Sequence, residues 1–233
     1  MKTIGQEAGK SYAYLLGVYL GDGCITKQYG KWSFKVNTID EDFAIAIQSA
    51  IDCLGFKSTI YKHSVKKSHK PNYLLWCYSQ ALCNDLLNDC GGESNPKSRF
   101  PFFTVRDNEG AFIVGLMDSE GFVAEKTENK TGRAYYMGYK SCDPWVPRLL
   151  ELMKDFGLRF GKVQTERPLK PGYKAPTRVT IKMQSWVDSG LRFNIKRKQE
   201  RVDRWASTVP YSERSRYPRR LTPETIRQSA QGA

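Results

Sequence analysis

Two carboxylates occupy matching places in this chain of 233 residues. Asp22 closes the run Leu15–Gly23, "LLGVYLGDG", and Glu120 closes Ile113–Gly121, "IVGLMDSEG". Each run is apolar, carries a small residue at its third and seventh places, and ends in an acid followed by glycine. Positions i and i+4 share a helix face, so Gly17 with Gly21, and Gly115 with Ser119, line two stripes almost bare of side chain. Helices meeting through such stripes approach backbone to backbone, and their terminal acids then lie side by side. That placement is unfavourable by itself, because a helix C-terminus is partly negative and neighbouring carboxylates repel. A hard divalent cation with oxygen ligands, such as Mg²⁺, relieves both problems. Beside a phosphodiester, a carboxylate-bound metal polarises the phosphate and activates water. One "DG" or "EG" alone reads as a helix-stop turn; two copies in matching surroundings favour the chemistry.

The surroundings do match. After the first run, "KWSFKVN" (31–37) alternates apolar and polar residues, the period of a half-buried strand. "DEDFAIAIQSAIDCLGF" opens with acids and closes near Gly55, as a helix does. Strands are expected over 57–63 and 72–78, joined by a basic loop, then a short helix over 79–92. In the second half the same order returns: a strand over 133–139, a helix over 143–158, strands over 159–166 and 177–183, and a helix from Ser185. The expected organisation is a first repeat with its connector over 1–105, a second repeat over 106–195, and a basic helix and tail over 196–233.

Charge limits the partners. Lys and Arg number 37 against 24 Asp and Glu, a net +13, which points to a polyanion, nucleic acid first and an acidic membrane surface second. No window reaches the ~18 apolar residues of a membrane span, and the N-terminal apolar stretch runs into "GDG" with no small-residue cleavage site. The six cysteines are scattered without a C-x-x-C pair, and there are two histidines, His63 and His69. Zinc and disulfide frameworks are therefore unsupported, and a reducing compartment is expected.

The two runs resemble the signature motifs of the LAGLIDADG homing endonucleases, in the single-chain form that carries both copies. The resemblance spans about residues 10–195, with Ser119 where Ala or Gly is usual and Glu120 in place of Asp. It implies an α+β fold, a pseudo-twofold αββαββα duplication whose two antiparallel four-stranded sheets form a saddle over double-stranded DNA. It further implies a monomeric, site-specific DNA endonuclease with a long target. The products would be short 3′ overhangs, and the role would be mobility of an intron or intein. Mg²⁺ would be the cofactor, Mn²⁺ a substitute, and Ca²⁺ a support for binding without cleavage. An intracellular setting follows, the cytoplasm or nucleoid of a microbe or an organelle matrix. Rival readings are an RNA-binding intron maturase and a non-cleaving DNA-binding regulator.

By resemblance, Asp22 and Glu120 are metal ligands, joined by the carbonyls of Gly21 and Ser119. Lys182 falls where the family has a lysine beside the scissile phosphate, with Cys77 as its counterpart. Lys35 falls at a water-organising position, with Met137 as its counterpart. The polar strand faces are expected to read base edges in the major groove: Lys31, Ser33, Lys35 and Asn37 in the first half, Arg133, Tyr135 and Tyr139 in the second, with Arg178, Thr180 and Lys182 on the last strand. The loop lysines Lys66, Lys67, Lys70, Lys170 and Lys174 are expected to touch phosphates.

Overall fold

The computed structural model describes residues 5–63, 71–128, 132–168 and 174–208, with the backbone alone for 126–128 and 132–133. Helix α1 (Gln6–Leu20) is buried on every side from Ala13 onward, so it belongs at the centre of the molecule and not on its surface. After it come strands β1 (Cys24–Gln28) and β2 (Lys31–Thr38), helix α2 (Glu41–Cys53), strands β3 (Ser58–His63) and β4 (Asn72–Cys77), and helix α3 (Gln80–Cys90). The second repeat runs α4 (Arg106–Ser119), β5 (Gly121–Glu128), β6 (Gly132–Ser141), α5 (Val146–Phe156), β7 (Phe160–Thr165), β8 (Thr177–Ile181), α6 (Met183–Asp188). A basic helix, α7 (Lys196–Thr208), follows.

Local chemistry explains the boundaries. Ser79 caps α3, its Oγ accepting from the Leu82 N–H at 3.2 Å, which satisfies one orphan donor of the first turn. Helices α2 and α5 stop the same way, at Gly55 and Gly157 with φ of +80° and +108°. In each, the next residue's N–H returns to the last turn, Phe56 to Ile51 O at 3.2 Å and Leu158 to Met153 O at 2.8 Å. Glycine enters that left-handed turn without a Cβ clash.

Two antiparallel sheets result, ordered β1-β2-β4-β3 and β5-β6-β8-β7. The α+β duplication expected from sequence is the observed fold. Phe34, Val36, Leu75 and Cys77 point from the first sheet into the core, as do Val123, Met137, Tyr139, Val179 and Ile181 from the second. Helix α7 joins the two repeats. The Lys196 N–H donates to the Asp42 carboxylate, and Arg197 grips Asp40 at 2.6 and 2.7 Å. From the same helix, Arg201 donates to Val123 O at 2.5 Å and Arg204 to Glu125 at 2.9 Å. Among the described residues, no helix is long and apolar enough to cross a membrane.

Register corrects part of the sequence reading. Phe34 pairs with Cys77 and Met137 with Ile181, so Lys35 is equivalent to Gly138 rather than Met137, and Lys182 to Tyr78 rather than Cys77. Strand β6 is also read one residue out of phase. Tyr139 is 1% exposed and Tyr135 packs on the core, while Tyr136 and Lys140 lie on the opposite face. Tyrosine carries a polar tip on a large apolar ring, and "RAYYMGY" has tyrosines at both parities, so alternation alone could not choose a face. The Arg133 side chain lies outside the described residues. Ser33 is buried at 2% exposure, its hydroxyl 3.0 Å from that of Thr26 across the strand pair, so it is closed to a base edge.

Candidate functional site

The site begins where α1 crosses α4. A Cβ added to Gly17 would stand 2.3 Å from Phe112 O, and one added to Gly115 would stand 2.2 Å from Tyr14 O. The bare stripes are thus in backbone contact, and any side chain would force the helices apart. At the end of the crossing, a Cβ on Gly21 would meet Ser119 Cβ at 2.4 Å and Glu120 Cγ at 3.2 Å. All four small residues singled out in the sequence lie in this contact, and they bring the acid-bearing turns together. Asp22 and Glu120 both reach solvent, yet crowding by the helix ends raises both carboxyl pKa values. For Glu120, repulsion from Asp22 and Asp143 adds to burial.

Two lysines that sequence reading missed hold these helix ends. Lys97 Nζ donates to Gly21 O at 2.8 Å and stands 5.3 Å over the Tyr19 ring. Lys198 Nζ donates to Met117 O at 2.9 Å and Asp118 O at 2.6 Å, 5.7 Å over the Phe193 ring. Both ammoniums satisfy carbonyls left over at a helix C-terminus, where positive charge is favoured. Both also lower the pKa values of Asp22 and Glu120 by charge. Burial in turn pulls Lys97 down and brings Lys198 to about 8, against the raising effect of its acidic neighbours. The one trace in the sequence is spacing: Lys97 follows Asp22 by 75 residues and Lys198 follows Glu120 by 78.

Lys198 is positioned by a buried acid. Asp118, 1% exposed, accepts from Tyr14 Oη at 3.1 Å, from Asn194 N and Nδ2 at 3.2 and 3.0 Å, and from Ile195 N at 3.4 Å. These bonds fix the segment that leads into α7. Burial outweighs them and raises the Asp118 carboxyl to about 6. Beside Asp22 and Ser119 opens a cleft of about 410 Å³ that also includes Asn37, Thr38, Asn72 and Arg197, so Asn37 is the strand residue from the sequence reading that reaches the acids' surroundings.

The other expected contacts spread over the sheets. Lys31 and Lys35 share the outer face of β2, with Lys35 Nζ 4.1 Å over the Trp76 ring. Arg178 is exposed but paired with Glu166 at 3.4 Å and laid over the Phe122 ring at 5.0 Å. Thr180 is half-buried; Lys182 and Lys174 are exposed. Lys182 lies against Gly161, and its backbone starts α6. Lys66, Lys67, Lys70, Lys170 and His69 lie outside the described residues.

Residues 10–89 match the family profile of the LAGLIDADG-like domain, and the second repeat reproduces the same elements around the same helix crossing. The first repeat is similar to the LAGLIDADG-like domain. The fold of the chain is similar to a variant of I-DmoI in complex with its target DNA in the presence of magnesium, at a TM-score of 0.52 and 18% identity over 79% of this chain and 97% of that one. A mutant of I-SmaMI aligns over 94% of this chain and 97% of its own, at a TM-score of 0.53 and 11% identity. The LAGLIDADG meganuclease I-AabMI bound to uncleaved DNA aligns over 94% and 96%, at 0.50 and 12%. At such identities the likeness is one of fold. No curated protein matches the sequence.

The donor set of the site fits a hard cation of the Mg²⁺ kind. Two adjacent carboxylates supply oxygen alone, and Mg²⁺ is ordinarily held by one or two carboxylates with substrate phosphates and water completing the shell. Among the described residues no group of three or more His, Cys, Asp or Glu could hold a metal. Of the two candidate carbonyl ligands, Gly21 O already accepts from Lys97, and the Ser119 hydroxyl donates back to Gly115 O at 3.0 Å.

Proposed function

We propose that the chain is a site-specific, double-strand DNA endonuclease that hydrolyses phosphodiesters with Mg²⁺ or Mn²⁺. The observation that carries the reading is the contact of Gly21 with Ser119 and Glu120, which sets one carboxylate from each repeat at the same crossing. Asp22 and Glu120 would hold the cation, which supplies Lewis-acid polarisation of the phosphate and an activated water when bound. The chain's own cations do the rest. Lys97 and Lys198 pull both carboxyl pKa values down by charge and set positive charge at the ends of the two motif helices. The outer faces of both sheets carry the duplex, and the net +13 draws it in, so binding weakens steeply as salt rises.

On this reading one chain supplies both acids and acts as a monomer, in the DNA-bearing compartment of a microbe or an organelle. It leaves short 3′ overhangs, and its role is mobility of an intron or intein. Ca²⁺ supports binding without cutting. Selection of cleaved sequences from a randomised duplex library identifies the target. Asp22→Asn and Glu120→Gln are each expected to retain binding and lower double-strand cutting by about a thousandfold, the scale of removing a main electrostatic element of a site. Linear plasmid produced by the double variant would overturn the assignment. A maturase or a silent regulator has no need for both acids at one crossing, and would bind without linearising any plasmid.

A further inference from the structure

The outer faces of the two sheets are built from different chemistry at equivalent positions. On the first sheet, Trp76 stacks on Tyr78 with ring centroids 5.2 Å apart, and Tyr61 meets Trp76 edge-on at 6.5 Å. Tyr61 and Tyr78 are 46% and 60% exposed, and Leu74 lies beside them, opposite Tyr61 in the ladder. Through the pairing registers, the second sheet has Gln164, Arg178, Thr180 and Lys182 in place of Tyr61, Leu74, Trp76 and Tyr78. At these four positions a contiguous, partly exposed apolar patch on one repeat is matched by hydrogen-bonding side chains on the other.

An exposed apolar patch of this kind marks a contact surface. Its place commits it to duplex DNA and not to a protein. The ladder row Cys24–Lys35–Trp76–Thr59 starts two residues after Asp22, and the basic side chains of Lys31 and Lys35 stand on the same face. Within the major groove the apolar feature offered by base edges is the thymine 5-methyl group. We propose that Tyr61, Trp76 and Tyr78 are specificity-determining residues that read thymine methyl groups in the half-site under the first sheet, whereas the second sheet reads its half-site through polar contacts. This rests on the endonuclease reading above. Lys35, with its ammonium against the indole face, holds the Trp76 plane in position from a neighbouring strand.

The test uses the full chain with Ca²⁺ and a randomised duplex library, followed by competition with the selected duplex carrying uracil for thymine in one half-site at a time. Thymine is expected to be enriched in one half-site, and each uracil there weakens binding about fourfold, the equivalent of ~0.8 kcal/mol for a buried methylene. Uracil in the other half-site changes nothing. Trp76→Ala and, separately, Tyr78→Ser lose the preference for thymine while still binding the uracil duplex; Tyr78→Ser alters an exposed ring and keeps the test open should Trp76→Ala misfold. A bound duplex indifferent to uracil, equal losses in both half-sites, or variants that still prefer thymine would overturn this inference alone. Failure to enrich any duplex would overturn the DNA reading and this inference with it.

Discussion

Helices α1 and α4 end in matching backbone and deliver a lysine to the same place by different means. At the end of α1, Lys97 arrives from the connector with its own backbone at φ +60°, its carbonyl accepting from Trp145 Nε1 at 3.1 Å. At the end of α4, Lys198 arrives on a regular helix whose approach is fixed by Asp118. The residue equivalent to Asp118 in the first repeat is Leu20, a plain core side chain. One half therefore places its cation through a constrained loop and the other through a buried polar network. The duplicated acids demand compensating charge at both ends, but nothing demands that it come from the same element.

Breaking what the two ends share has the largest expected effect. Gly115→Val or Gly17→Val inserts a branched side chain where even a Cβ falls within 2.3 Å of backbone oxygen. The cost is expected to exceed ~4 kcal/mol, beyond ordinary overpacking because backbone cannot yield, and thermal denaturation would show no cooperative transition. Gly9→Ala is the control. Its Cβ meets the Asn108 side chain at 3.2 Å, which can move, and the change stays within ~1 kcal/mol. A Gly115→Val protein melting like the parent would refute the close crossing.

Removing what distinguishes the second end comes next. Asp118→Leu makes it resemble the first and leaves the N–H groups of Asn194 and Ile195 and the Tyr14 hydroxyl without their acceptor. Stranding such buried donors costs about 2–4 kcal/mol, and amide hydrogen exchange should rise through 193–198 while the first repeat stays protected. Asp118→Asn isolates the charge. In the parent, the carboxyl is raised from 3.8 to about 6 by burial, so the folded state binds its proton more tightly than the unfolded chain. That contribution is complete below pH ~4 and is lost as pH rises through ~6, at no more than ~1.4 kcal/mol per pH unit. The difference in stability between parent and Asp118→Asn should change across that window; a constant difference would mean that Asp118 ionises normally.

Much of this was legible in sequence because it depends on short-range repetition. The acids and small residues repeat within nine-residue runs, and their face follows from helical period alone. Strands β2 and β8 carry aliphatic or aromatic residues at one parity, so their inward faces were readable. Strand β6 was not, since its tyrosines serve either face. Lys97 and Lys198 stayed hidden for a different reason. They are two among 37 basic residues, and their contacts with Gly21 and Asp118 span 76 and 80 positions, a separation with no local pattern. An acid on the buried side of an apolar helix, as Asp118 is, requires a partner.

The subtlest difference between the two ends is backbone strain at Lys97. A non-glycine residue in the left-handed region costs about 1–2 kcal/mol relative to right-handed backbone, whereas Lys198 sits in a helix at no such cost. Lys97→Ala and Lys97→Gly both remove the ammonium from Gly21 O, but only glycine also relaxes the φ of +60°. Lys97→Gly is therefore expected to be more stable than Lys97→Ala by about 0.5–1 kcal/mol, less than the full strain because glycine also gains entropy in the unfolded chain. At Lys198 the order reverses, alanine being better than glycine by about 1 kcal/mol in a helix. The two pairs of variants, compared by urea denaturation, separate the loop-borne lysine from the helix-borne one. Were glycine the worse substitution at both positions, the connector would not be holding Lys97 against its own backbone preference, and the contrast between the two ends would reduce to the Asp118 network.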